Sequence, residues 1–118
     1  MSNMVSWNLQ MSVREGQLDA ARALMAEMVV GTQEEVGTMG YEWFLSADGS
    51  LCHTNERFAD SGAAMAHLGN FGTNFAERFM QCFAPTSISV YGEPTDEVRA
   101  ALDAFGAIYL GNFGGFTR

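Results

Sequence analysis

Residues 41–60, YEWFLSADGSLCHTNERFAD, lead directly into SGAAMAHL, and no other stretch constrains the fold as much. Two runs of strand-forming residues flank Asp48-Gly49, the dipeptide that two-residue type I′ turns prefer because both central positions need positive φ. Such a turn sets Ala47 opposite Ser50 and runs the pairing outward. Tyr41, Trp43 and Leu45 then share a face with Cys52, Thr54 and Glu56, while Glu42, Phe44 and Ser46 share the other with Leu51, His53 and Asn55. Both faces carry apolar side chains, so both are expected to be covered. Helices can cover one, and a second copy of the chain is the economical cover for the other.

The periodicity of the rest predicts an order of β-α-β-β-α-α-β-α-β. Val5, Trp7, Leu9, Met11 and Val13 alternate with polar residues, which is the two-residue period of a strand with one buried face. Leu18, Ala21, Met25, Met28, Val29 and Val36 fall near helical spacing, with Gly16 or Gln17 at the start and Gly37 or Gly40 at the end. Asp60 or Ser61 can cap a short helix over 61–68 that Gly69-Asn70 breaks. Phe71, Phe75, Phe79, Cys82 and Phe83 form an aromatic stripe on the next helix, which Pro85 stops. A strand is expected over 86–93. Thr95 then caps a helix whose inner face is Val98, Ala101, Leu102 and Phe105, ended by Gly106. A short strand and a Gly-aromatic arm close the chain. This is the order of an α+β ferredoxin-like antiparallel sheet with helices on one face, expected as a single domain over residues 1–118.

Fourteen acids face six arginines and no lysine, and the net charge of −8 disfavours nucleic acid and anionic membrane surfaces as partners. No apolar run is long enough for a membrane span, and MSNMVSWNLQ has neither the basic start nor the apolar block of a secretory leader. Cys52 and Cys82 are too few for a disulfide framework and are expected as thiols in a reducing cytoplasm. Two distant histidines give no metal-ligand spacing, so no metal is expected. GNFGGF does not lie between a strand and a helix, so it is no phosphate loop.

The candidate pocket lies on the face with Tyr41, Trp43, Thr54 and Glu56. Tyr41 and Trp43 can stack an aromatic ring, and the stripe with Phe75 and Phe79 can supply the facing wall. A carboxylate on a buried strand face is costly unless paired, so Glu56 either meets an arginine (Arg78 or Arg99) or keeps its proton. His53 and Glu56 are the candidate bases, since proton abstraction near neutral pH suits a histidine or a buried carboxylate. Three residues apart, they point to opposite faces of a regular strand. The alternative for His53 is a hydrogen-bonded interface residue. For His67 it is a helix-end residue favoured by the dipole.

An aromatic-rich strand with Trp43, the acidic turn Asp48-Gly49, the run Glu56-Arg57-Phe58, a helix ending in a histidine, His67, and the closing TDEVRAALDAFGAIYLGNFGGFTR together resemble the antibiotic biosynthesis monooxygenase-like superfamily, the dimeric α+β barrel proteins. The resemblance implies a homodimer whose two sheets pack face to face, with a pocket between sheet and helices in each subunit and Phe58 as a further substrate contact. It also implies a monooxygenase that acts on a small aromatic or quinol-type compound with no cofactor. Phe58 stands where several oxygenases of this group carry tryptophan, and Thr54 where some carry asparagine. The alternative is a homodimeric module of the same fold that binds a small apolar ligand without turnover.

Overall fold

The computed structural model describes residues 3–118. Met1 and Ser2, the start of the segment read above for a leader, lie outside the described residues. Nine elements follow in the expected order: β1 (Val5–Val13), α1 (Leu18–Gln33), β2 (Thr38–Leu45), β3 (Leu51–Phe58), α2 (Ser61–Asn74), α3 (Ala76–Cys82), β4 (Phe83–Gly92), α4 (Asp96–Asp103) and β5 (Ile108–Leu110). The strands form one sheet in the order β2-β3-β1-β4-β5. The first four make the ferredoxin-like arrangement, and every pairing among them is antiparallel. β5 runs parallel to β4, so the sheet is mixed where the sequence led us to expect a wholly antiparallel one.

β1 is central, paired with β3 along one edge and β4 along the other, and its alternation sets one apolar face toward the helices. Val5, Trp7 and Met11 are buried on the face that also carries Cys52, Phe58, Ile88 and Val90. All four helices pack on that face. Ala64 of α2 and Val98 and Leu102 of α4 join one buried cluster around Trp7 and Phe58. Ala21, Leu24 and Met28 of α1 and Phe79 and Cys82 of α3 join a second around Met11. Leu9 touches both clusters.

The hairpin keeps the expected register with a different turn. Leu45 pairs with Cys52, Trp43 with Thr54 and Tyr41 with Glu56. The reversal is a four-residue loop over 47–50: Ser46 N donates to Leu51 O at 2.9 Å and Gly49 N to Ser46 O at 2.9 Å. Only glycines adopt positive φ among the described residues, Gly49 at 75°, so Asp48 does not take the conformation a type I′ turn demands. Its carboxylate instead accepts from Ser50 Oγ (2.7 Å), Ser46 Oγ (2.8 Å) and Ser50 N (3.0 Å). Those bonds, the Ser50 hydroxyl foremost, push Asp48 down to about 2.

Four boundaries move for physical reasons. α1 ends at Gln33, well short of Gly37, and Val36 is fully exposed beyond it. Glu35 leaves the helix to bond Thr38, His67 and Asn70. Gly37 serves close packing rather than termination, since a Cβ there would lie 2.4 Å from the Ala63 Cβ. α2 runs through Gly69-Asn70 to Asn74. A helical glycine costs only about 1 kcal/mol, and the Asn70 bond to Glu35 and the packing of Phe71 favour continuation. Phe83 and Pro85 belong to β4, which therefore starts before 86. Pro85 sits where the β1 and β4 register shifts, a bulge that tolerates its missing N–H. Phe105 lies beyond α4, which ends at Asp103.

Candidate active site

β3 presents Thr54 and Glu56 to the helices, and β2 presents Tyr41 and Trp43 directly beside them. From above, α2 lowers His67, which shares its face with Ala64 and Phe71. His67 Nε2 lies 3.0 Å from Glu56 Oε1, and Nδ1 lies 2.9 Å from Glu35 Oε1. Thr54 Oγ1 donates to Glu56 Oε2 at 2.7 Å. Thr38 Oγ1 and Asn70 Nδ2 donate to Glu35 at 2.7 and 2.8 Å. One imidazole thus bridges two carboxylates, and each carboxylate is anchored by a neutral donor. Glu56 and His67 are 6% and 5% exposed, so water does little to screen the pairing.

Burial by itself would depress His67. The hydrogen bond and charge of Glu56, followed by those of Glu35, outweigh it and raise His67 above the ordinary imidazole range. The rings of Phe58 and Tyr41 flank the imidazole at centroid distances of 5.1 and 5.4 Å. Burial, then the charge of Glu56, holds the Tyr41 phenol protonated far above its usual range. The site therefore sets a carboxylate acceptor beside a phenol donor inside apolar walls.

Because the folded value of His67 lies above the unfolded value of about 6.5, its contribution to stability is complete below that pH and disappears as pH rises through the folded value. Thermal midpoints should fall from neutral toward alkaline pH, and His67→Ala should flatten that slope. An unchanged slope in the variant would place the titration elsewhere.

Tyr41, Trp43, Thr54, Glu56 and Phe79 line one cavity of about 50 Å³ between the two core clusters. Phe58 lies beneath it, fully buried against Trp7 at 4.6 Å. Phe75 stands outside the lining, with the Arg78 guanidinium 5.9 Å from its ring. His53 is on the opposite sheet face, paired across the strands with Phe44 and Gln10, and does not meet Glu56. The partner of Glu56 is His67 rather than an arginine. Arg78 binds Glu27 at 2.8 Å, and Arg99 lies over Tyr109. His67 is also mid-helix, away from any C-terminus. Sequence reasoning missed Glu35 and the pairing role of His67; the available signal was one histidine on the apolar face of a helix.

An aromatic ring needs more room, for an apolar cavity that admits benzene holds about 150 Å³. Entry requires a wall residue to move, and Phe105 is the exposed member of the lining. A second cavity of about 230 Å³ lies beyond Trp43, between α1 and the end of the hairpin. Its Cys52 thiol, pushed up to about 11 by burial, supplies no nucleophile at neutral pH. Both cysteines are free and buried. Among the described residues no group of three or more His, Cys, Asp and Glu is arranged to hold a metal ion, and no helix is long and apolar enough to cross a membrane.

The family described as antibiotic biosynthesis monooxygenase matches residues 4–77, more than half of the chain. No curated protein matches it by sequence. Among solved structures, MupZ from Pseudomonas fluorescens superposes on the whole chain and 91% of its own length, with a TM-score of 0.88 at 22% identity. A putative antibiotic biosynthesis monooxygenase from Nitrosomonas europaea matches 79% of this chain and 92% of its own, with a TM-score of 0.69 at 18% identity. SnoaB from Streptomyces nogalater, described as a cofactor-independent oxygenase, matches 80% and 96% with a TM-score of 0.67 at 11% identity. At such identities the likeness is one of fold.

Proposed function

We propose, from the premise that the chain belongs to the antibiotic biosynthesis monooxygenase family, that it is an enzyme whose first step is proton abstraction by Glu56 from a small aromatic or quinol-type compound. The reading rests on the bridge from Glu35 through His67 to Glu56 inside an apolar cleft. Each Glu56 oxygen keeps a lone pair after its bond to His67 or Thr54. A substrate hydroxyl gives its proton to Glu56, the imidazolium beside it offsets the negative charge, and Glu35 holds the ring in place through Nδ1. The electron-rich anion then reduces O₂ without a cofactor. In net terms a ring CH₂ tautomer and O₂ become a carbonyl and water, with the carbon oxidised by four electrons and O₂ reduced by four.

Tyr41 favours a second reading. A phenol held protonated beside a base suits proton transfer without net oxidation, such as movement of a proton next to a carbonyl. An oxygen electrode with a panel of hydroquinones and phenols separates the readings. Oxygen uptake by wild type, lost in Glu56→Gln, supports oxygenation. Conversion without uptake supports the redox-neutral reaction. Thermal stabilisation by ligand with no conversion across the panel leaves the chain a binding module.

A homodimer is part of the same reading. The sheet face away from the helices has polar residues bonded to one another, Gln10 to Asn8 and Asn8 to Asn55 at 2.9 Å each. It also carries Phe44 and Leu51, each about half exposed. Phe113 and Phe116 project from the tail almost wholly exposed. Sedimentation should give about twice the 12.8 kDa chain mass, and deleting residues 111–118 should weaken association more than it lowers monomer stability. A monomer at micromolar concentration would refute this assembly.

A further inference from the structure

We propose that Trp43 Nε1–H and Tyr41 Oη–H form a two-donor notch that seats one oxygen atom of the substrate, a carbonyl or phenolic oxygen, beside Glu56. The inference deepens the acid–base reading of the site and rests on it. Trp43 Nε1 is buried without a hydrogen-bond partner, the one such side-chain atom among the described residues. A buried N–H left unpaired is costly and needs a reason. The side chains of Trp43 and Thr32 both approach the Tyr41 oxygen from the donor side, but the indole N–H is too poorly aligned to close a bond to it. The two rings meet edge to face, 6.0 Å between centroids and 83° between planes. They alternate on one face of β2 and both line the cleft.

The other polar hydrogens of the cleft are committed. Thr54 Oγ1 donates to Glu56, and both His67 nitrogens face carboxylates. The unpaired Trp43 N–H and the Tyr41 hydroxyl, with Thr32 beside it, are the donors assigned to a ligand. Both are neutral, no guanidinium lines the cavity, and the one cationic group there, His67, is already shared by two glutamates. A phosphate or carboxylate is disfavoured on those grounds. An oxygen that gains charge only as Glu56 takes the proton fits, because the donors then strengthen as the reaction proceeds.

The ¹⁵N-labelled chain has two indole N–H signals, from Trp7 and Trp43, and Trp43→Phe assigns the second. Phenol and toluene serve as probes of equal shape with and without an oxygen. Phenol should move the Trp43 signal downfield and saturably, and toluene should not. Tyr41→Phe should weaken phenol binding roughly three- to tenfold and leave toluene unaffected. A Trp43 signal already in the hydrogen-bonded range and unmoved by phenol, an equal shift with toluene, or no saturable shift overturns the notch. The wild-type titration decides even if a variant does not fold. Because it needs no turnover, it can succeed where the reaction assigned to Glu56 fails. Conversely, turnover that Glu56→Gln abolishes but Trp43→Phe and Tyr41→Phe leave unchanged refutes the notch alone.

Discussion

Replacing His67 with alanine is expected to destabilise the chain by about 3–5 kcal/mol, the usual cost of removing one partner from a buried ion pair. The substitution strands two carboxylates. Glu56 keeps only Thr54, and Glu35 keeps Thr38 and Asn70. Around them stand Trp7, Tyr41 and Phe58, which offer no charge in return. For a chain of this size the thermal midpoint should drop on the order of 10–20 °C. Most of the loss comes from uncompensated charge rather than from lost attraction. Pairing His67→Ala with Glu56→Leu should therefore recover a large part of it. A loss below about 1 kcal/mol, typical of a solvated pair, would mean that water reaches the site.

Glu56→Gln should leave the fold intact and lower turnover about 10²- to 10⁴-fold, the range expected when a positioned general base is removed. The amide oxygen can still accept from His67, and the side chain keeps its volume beneath the cavity, so substrate affinity should change little. The two substitutions dissect the site differently: His67→Ala strands two carboxylates and acts mainly on stability, whereas Glu56→Gln keeps a hydrogen bond to His67 and leaves it Glu35 as charge partner, so its stability loss should be the smaller and its loss of activity the main effect. A Glu56→Gln enzyme within tenfold of wild type would remove Glu56 from the role of base.

The hairpin was legible because two independent signals agreed. Alternation fixed which residues share a face, and Asp48-Gly49 fixed where the chain reverses. A four-residue loop replaces the two-residue turn without altering register, since it merely frees Ala47 and Ser50 from pairing. That is why Tyr41 meets Glu56 as expected. The alternation of β1 and the Thr95 cap of α4 were readable for the same local reason. Misread boundaries occur where distant contacts prevail over local preference. Gly69-Asn70 has the composition of a break, yet Asn70 is held by Glu35 from another element. The bridge at His67 draws on positions 35, 56 and 67, in three segments joined only by packing, and no periodicity links them. A lone histidine among alanines gives little sign of such partners.

Gly37 lines neither cavity, yet its missing side chain governs how near α2 can come. Ala63 rests against it, and His67 stands one helical turn further along the same face. A methyl group inserted at position 37 would act as a shim, tilting the helix outward and lengthening the span from imidazole to Glu56. The alignment of the site is thus hostage to a spacer of zero width, where a change outside the site would loosen the Glu35–His67–Glu56 bridge without replacing any residue that forms it.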